Sequence, residues 1–543
     1  MSFDEATPLY DVIVVGYGPV GQVLTNLLAQ DGHRVAVIER WPELYPRPRA
    51  AHFDHEIRRL LDRLGVVAEL GEDVVGMRSY EWRGADGELI LDLEADMLAA
   101  SGYVFSHLFY QPALERALHE RALRAPSVDL LRGWEMVSVA ETDGIVTAIG
   151  ERTRPAGAGE LELTGERIEL RGRFVVGADG ANSRLRTLSG IGEVDLGFSE
   201  HWLVVDVGFP DHDVAERLWA QLGDSCQWCD PRRPHMSVQV GRYHRRWEFM
   251  LLPGEDPAEF AADDVVWRML ERWVGPADAV LERHVVYRFS SSLAERMRVG
   301  RTLLIGDAAH VMPPFMGQGL CSGLRDAANL AWKLDLVLRG ISDEALLDTL
   351  TAERYEQNRR TIEVSMRMGR VSCTLDPAAA RNRDEAFRTG RTPPPEPMPG
   401  LRGGIRRRPA GTGSDPLAGS LAVQGLVGRD GRRGLADAVV GDGFCLITRH
   451  GVDLAEDDLR TVNALGIRLL CLDPAQPDGC TDLDGRLTGW LSETGVEAVL
   501  VRPDFYVFGC APTTADVPAL LADLRDQLLT GKNAPVATRV EAR

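Results

Sequence analysis

Cysteine is scarce: 8 in 543 residues, at positions 226, 229, 321, 373, 445, 471, 480 and 510. So thin a scatter cannot staple a chain of this length and fits a reducing compartment. Cys226-Gln-Trp-Cys229 is the single CxxC, and without a second Cys or His pair at zinc spacing it reads as packing, not redox or metal chemistry. No run approaches the roughly 18–20 apolar residues that span a bilayer. Asp4 and Glu5 stand where a secretory leader carries Lys or Arg, so the cytoplasm is the expected compartment. Positive charge is also in short supply. Lys and Arg number 61 against 81 Asp and Glu, a formal charge of −20, which repels phosphate backbones and anionic membrane surfaces. Nucleic acid and stable membrane association are therefore not expected. Hydrophobic residues at 44% and charged residues at 26% are globular values, and the length suits about two to four domains.

What is present begins ten residues in. Asp11 to Val15 is a β-branched run, Gly16-Tyr-Gly18-Pro-Val-Gly21 follows, Gln22 to Gln30 reads as a helix closed by Asp31-Gly32, and Val35 to Ile38 is a second strand ending at Glu39. This predicts a βαβ unit with glycines in its first turn. Alternating segments over about 77–98 and 197–289, such as Val204 to Gly208 and Trp247 to Leu252, predict a second sheet, while Gln111 to Arg124 reads as a helix and Phe174 to Gly177 as a strand. The two blocks alternate along the chain. A nucleotide-binding domain (about 1–76, 99–196 and 290–375) is thus expected to interleave with a sheet domain (about 77–98 and 197–289). Helices are predicted over about Cys321 to Leu338 and Glu344 to Val371. Residues 376–419, rich in Pro, Arg and Gly with Pro393 to Pro395 and Arg406 to Arg408, have linker composition, and 420–543 alternates strands with helices as a small α/β domain.

The glycine pattern is weak alone, but between a strand and a helix it has mechanics. Gly16 permits the tight turn, Gly18 lets backbone N–H groups approach a pyrophosphate, Gly21 allows close helix–strand packing, and Glu39 is placed for an adenosine ribose. Two later segments choose the dinucleotide. Gly177-Ala-Asp179-Gly180-Ala-Asn-Ser183 follows a strand with a tight turn. Arg301 to Gly319 is a strand ending in Gly306-Asp307, then a Pro/Gly-rich loop through Pro314, Gly317 and Gly319 into a helix. Asp307 can bind ribityl hydroxyls, and the helix N-terminus offers N–H groups to the pyrimidine edge of a reduced flavin.

In this order and spacing the segments resemble the flavoprotein aromatic hydroxylases over about residues 8–375. Within that family the chain looks most like the 3-(3-hydroxyphenyl)propionate hydroxylase branch, through Arg49-Ala-Ala-His52-Phe-Asp54-His-Glu56 and Gln227-Trp-Cys-Asp230-Pro-Arg-Arg-Pro234. The tail resembles the thioredoxin-like C-terminal domain of these enzymes through Asp484 to Leu491 and Leu500 to Gly509, but has no CxxC there. The fold class expected is α/β: a Rossmann-like FAD-binding domain interleaved with a mixed β-sheet substrate domain, plus a C-terminal thioredoxin-like α/β domain.

The resemblance implies FAD contacts at Gly16, Gly18, Gly21, Glu39, Arg40, Arg49, Gln111, Asp179 and Asp307, with Pro314, Gly317 and Gly319 beside the flavin ring. Arg40 and Arg49 read equally as surface ion-pair residues, and Asp179 as a cap of its own turn. It implies reduction of flavin by NADH or NADPH, reaction with O₂ to a C4a-hydroperoxide, and hydroxylation of a phenolic ring. His52 is the candidate catalytic group near the phenol, against a structural histidine bonded to backbone. His310 reads as structural, and His235, Arg242 and Tyr243 of the second sheet are not separable from ordinary polar residues. The partners implied are a small phenol and O₂, with a homodimer as an option. A polycyclic polyketide or aromatic antibiotic as substrate, and a flavin-loaded binding protein without turnover, stand as alternatives. The Trp-x-Trp-x-Ile-Pro segment of a flavin halogenase is not found.

Overall fold

The computed structural model describes residues 8–157, 160–392, 397–408, 415–476 and 478–529. Asp4, Glu5 and Pro393 to Pro395 lie outside the described residues. Strand Leu9–Val15 is the hub of the first sheet, parallel to Val35–Glu39 on one side and to Glu160–Gly177 on the other. The order continues through Val128–Arg132 at one edge and Thr302–Leu304 and Arg298–Val299 at the other. Val12, Ile13 and Val14 have no exposed surface, and helix Pro19–Gln30 packs on the strands. Helix Pro19–Gln30 packs against helices Gln318–Leu338 and Gln111–Leu123.

Glu160–Gly177 is longer than the apolar run Phe174 to Gly177 suggested. Its first half pairs antiparallel with Ile145–Gly157, which pairs with Trp134–Thr142. That arm is mostly solvated, so it alternates Glu and Arg with Leu and Ile instead of forming an apolar run.

The second sheet has eight strands, in the order His310–Val311, Val280–Ala294, Glu193–Gly208, His244–Met250, His235–Val240, Ser225–Trp228, Ser79–Arg83 and Leu89–Glu94. Strand alternation divides its central strands into two faces. Leu203, Val205, Val207, Trp247 and Phe249 pack beneath helices His212–Leu222 and Asp263–Leu270. Trp202 and Met250 point the other way and cluster with Phe198 and Phe315. Asp206 and Arg246 share that second face, and Arg246 Nη1 donates to the backbone oxygen of Arg49.

Cys226 and Cys229 are both buried as free thiols, and burial pushes each thiol up to about 12. The stretch read as linker carries a helix, Pro377–Arg388, capped by the Asp376 carboxylate on the Ala379 N–H at 2.6 Å. Asp-Pro at a helix start is a signal that the surrounding Pro and Arg content masked. Asp384 of this helix accepts from the Ala85 N–H (2.8 Å), and Phe387 packs against Trp82.

In the last domain Cys445–Thr448 runs parallel to Arg468–Cys471 across helix Glu456–Leu465, and antiparallel to Ala498–Val501, which pairs with Val507–Ala511. This domain docks through buried charge. Arg502 bonds Glu353 at 2.9 and 2.7 Å and Asp504 at 2.6 Å, and Glu353 also accepts from Lys333 (2.8 Å) and Asn329 (2.6 Å). Burial opposes ionisation of Glu353, but the Arg502 and Lys333 cations outweigh it and hold the carboxyl low. A second contact, Arg59 to Asp437, is bidentate at 2.6 and 2.7 Å. Removing one partner of such a network strands the others without water. Arg502→Ala is therefore expected to cost about 3–5 kcal/mol and, in scanning calorimetry, to split the C-terminal domain into an earlier transition of its own.

Candidate flavin site

Where Leu9–Val15 ends, the chain turns with no room for a Cβ. Gly16 has φ +95°, and a methyl there would stand 2.4 Å from the Ala178 oxygen; one on Gly21 would stand 2.1 Å from the Gly16 oxygen. Helix Pro19–Gln30 then opens at Gly18 with no side-chain cap, leaving its first amide groups without a capping side chain. Glu39, at the end of the adjacent strand, accepts the Tyr17 N–H at 2.7 Å and the Trp41 N–H at 2.9 Å, so its carboxylate braces the glycine turn.

Arg49 borders the same loop. A Cβ on Gly18 would lie 3.7 Å from its Nη2, and the guanidinium sits 3.6 Å from Glu115. Gln111, buried at the start of its helix, accepts the Arg49 and Ala50 N–H groups (3.2 and 2.5 Å) and donates to Glu115 at 2.6 Å, which fixes the Arg49 backbone against the loop. Arg40 is exposed and lies over Trp41. Asp179 caps its own turn, accepting from Ser183 Oγ at 2.6 Å and the Leu185 N–H at 3.0 Å.

Asp307 differs from these. It is accessible and has no hydrogen-bond or ion-pair partner among the described residues. Burial raises its carboxyl pKa, partly offset by His310 and Arg49. The turn that carries it is anchored by Asp326, which accepts the Gly306 N–H at 3.0 Å and pairs with His310 at 2.5 Å. His310 is fully enclosed in that anchor.

Past Pro313, the turn Pro314–Met316 leads to Gly317 at φ +61°, which opens helix Gln318–Leu338 with no side-chain cap. Gly319 follows in the first turn of that helix. His52 packs on this loop: its Nδ1 lies 3.3 Å from the Gly317 oxygen and its Nε2 3.0 Å from Ser106 Oγ. A carbonyl only accepts, so Nδ1 carries the proton and Nε2 accepts from the serine. Burial lowers the imidazole pKa against the pull of Asp54, which keeps the ring neutral near pH 7.

The fold thus brings Gly16, Gly18, Gly21, Glu39, Arg49 and Gln111 to one loop, and Pro314, Gly317, Gly319 and His52 to another. His235 is stacked on Trp228 and bonded to Arg272, while Arg242 and Tyr243 pair with Glu72 and belong to neither loop. Sequence reasoning missed the support beneath the second loop. Asp54 caps helix His55–Arg63 and also pairs with Arg325, which bonds Glu56 at 2.7 Å and Gln318 at 2.9 Å. Asp54 and Glu56 stood in a quoted motif, but their partner lies some 270 residues away. A separate cleft lined by Arg59, Asp437, Asp442 and Phe505 lies at the C-terminal domain junction and contains none of the glycine loops.

A turn with no room for a Cβ at Gly16 and Gly21, helix starts without side-chain caps at Gly18 and Gly317, and an unpartnered, accessible carboxylate fit a dinucleotide carrying a polyol and an electron-accepting ring. Comparison with known proteins agrees. Residues 9–365 match the family described as FAD binding domain, and residues 419–527 match the HcaD C-terminal domain. The chain is 35% identical, over 98% of its length and 97% of the relative's, to a probable NADH-specific resorcinol 4-hydroxylase of Rhodococcus jostii (strain RHA1). It is 31% identical, over 95% of its length and 97% of the relative's, to a 3-(3-hydroxy-phenyl)propionate/3-hydroxycinnamic acid hydroxylase of Burkholderia cenocepacia (strain HI2424). Among solved structures it resembles aklavinone-11 hydroxylase in its ternary complex with FAD and aklavinone, with TM-score 0.74 and 26% identity over 96% of this chain and 99% of that one. By the family matched over residues 9–365 and the relatives matched over nearly its whole length, the chain belongs to the FAD-binding-domain family and is an FAD-dependent aromatic-ring monooxygenase.

Proposed function

We propose that this monooxygenase hydroxylates a small catabolic phenol, either 3-(3-hydroxyphenyl)propionate or a resorcinol-like ring, using NADH or NADPH and O₂. The carrying observation is the aromatic cluster of Trp202, Phe289 and Phe315, ring centroids 5.8–6.3 Å apart, which joins the second sheet to the Pro314–Gly317 loop. The likeness to aklavinone-11 hydroxylase supports the same chemistry on a polycyclic ring as the second reading. Higher identity to the single-ring hydroxylases favours the first.

Bound FAD supplies hydride acceptance and oxygen activation. In this reading the glycine turn holds the pyrophosphate with Arg49 and Gln111 beside it, Glu39 and Arg40 meet the adenosine ribose, and Asp179 lies near the nucleotide. Asp307 binds the ribityl chain, and Pro314, Gly317 and Gly319 lie at the pyrimidine edge. His52 holds the Gly317 carbonyl and acts on the substrate only through the Ser106 hydroxyl, since both its ring nitrogens are engaged. The apolar walls keep water from the oxidant.

For the C-terminal domain we propose a thioredoxin-like fold, supported by its β-α-β unit followed by a hairpin and helix Val517–Leu528, with a role in assembly and stability. The described cysteines are all free, which supports the cytoplasm as its compartment.

Asp307→Ala removes a carboxylate that would make charge-assisted bonds to hydroxyls, so FAD affinity, read by fluorescence titration of the apoprotein, is expected to fall roughly tenfold to a hundredfold. Phenols of the two classes are expected to accelerate NAD(P)H oxidation and give a product about 16 mass units heavier, the increment of one oxygen atom; a flavin-loaded binding protein gives neither. His52→Ala is expected to retain FAD but raise the peroxide released per NAD(P)H oxidised, because positioned acid–base groups contribute about 10²–10⁴ in rate. Equal coupling in wild type and variant would leave His52 a purely structural residue.

A further inference from the structure

If His52 has both nitrogens occupied, the substrate hydroxyl needs a direct acceptor elsewhere. The flavin-facing side of the second sheet contains one. Glu248 lies on strand His244–Met250, opposite Val204 on one neighbouring strand and Met236 on the other. Arg246 and Met250, two residues away on the same face, fix where that face points: Arg246 donates to the Arg49 backbone, and Met250 clusters with Phe315. Glu248 therefore lies between the Arg49–His52 segment and the Phe315–Gly317 loop, the two walls of the flavin site.

The carboxylate is only 7% exposed and makes no hydrogen bond among the described residues. Its one charged contact is Arg246 Nη1 at 3.8 Å, and that guanidinium is committed to Asp206 at 2.7 and 3.1 Å. Arg283 likewise lies 3.7 Å from Asp206 and donates to the Pro48 oxygen. Three strands away in the same sheet, Tyr80 of Ser79–Arg83 feels the charge of Glu248. Burial pushes Glu248 up to about 7; Arg246 and Arg283 offset this in part and Asp206 adds to it. A buried acceptor without a donor is costly to a fold, and such costs persist where a ligand supplies the missing partner.

We propose that Glu248 receives the phenolic hydroxyl of the substrate, accepting first its hydrogen bond and then its proton. The phenol O–H bond breaks, the electron pair stays on the phenolic oxygen and activates the ring, and a carboxyl O–H forms on Glu248. The proton returns to solvent when product leaves. With Arg246 already paired, this wall recognises a hydroxyl by acceptance, so the substrate class is a ring with a free OH, and its methyl ether is excluded. The inference rests on the reading of the protein as a phenol hydroxylase.

The test uses the FAD-loaded full chain with resorcinol and 3-(3-hydroxyphenyl)propionate as probes, and reads Kd from the flavin absorbance change between about pH 5 and 8. Wild-type affinity is expected to rise as pH passes about 7, where the carboxylate becomes the stronger, charged acceptor. Glu248→Gln should bind about tenfold or more weakly at the upper end, with a flat pH profile and lower coupling. It should also melt no lower than wild type at about pH 8, because the wild-type acid with its raised pKa loses stability as pH climbs from about 4.3 to its folded value. Glu248→Met, which keeps the volume, is the second variant and should show the same loss of pH dependence. A Gln or Met variant with wild-type Kd and pH profile overturns the assignment while leaving the hydroxylase reading intact. A wild type that binds FAD but neither phenol overturns both.

Discussion

Asp326 is a fully buried carboxylate that accepts from the Gly306 amide, His310, Arg354 (2.7 Å) and Asn358 (3.3 Å), and through them it ties the Asp307 turn to both long helices. Burial alone would neutralise it, but His310 and Arg354 outweigh that and hold its carboxyl below the usual range. The anchor sits where elements approach closely: a Cβ on Gly323 would come within 2.6 Å of Val20 and 3.1 Å of the Gly306 Cα. The Asp307 turn, the glycine turn and the Gly317 helix start are thereby set relative to one another before any cofactor arrives, which is what preorganised binding requires.

From that helix a polar chain runs outward to the last domain. Arg325 bonds Glu56, Glu56 accepts from Tyr506 at 3.3 Å, and Tyr506 accepts from Gln357 at 3.0 Å. Beside it lies the Arg502–Glu353–Lys333 group. Buried polar networks specify geometry because each unsatisfied member is costly. The C-terminal domain therefore braces helix Gln318–Leu338, and none of these contacts involves the glycine turn.

The second sheet divides its labour by alternation. One face is an ordinary apolar core beneath two helices, and the other carries aromatic rings flanked by Asp206, Arg246, Glu248 and Arg283. Asp206 serves both arginines, and Glu248, without a hydrogen-bond partner among the described residues, is the polar feature able to respond to a ligand.

The βαβ unit, the glycine turn with Glu39, the Asp307 turn and the long helices were legible in the amino-acid sequence, because each is set by local sterics: positive φ, β-branched runs and helix-start chemistry operate within a few residues. The solvated arm over residues 134–170 was not, since its alternating Glu and Leu carry only a weak signal. The helix Pro377–Arg388 was hidden by the composition around it. The partners of Asp54, Glu56, Asp326 and Glu353 could not be read at all, because a buried charge chooses its partner by tertiary position. His52 could be nominated from its motif, but only the fold shows both its nitrogens engaged. Glu248 reads in sequence as an ordinary strand residue between Trp247 and Phe249. It becomes distinctive only when packing buries it and commits its neighbour Arg246 to Asp206, because desolvation is a property of the assembled interior and not of the chain.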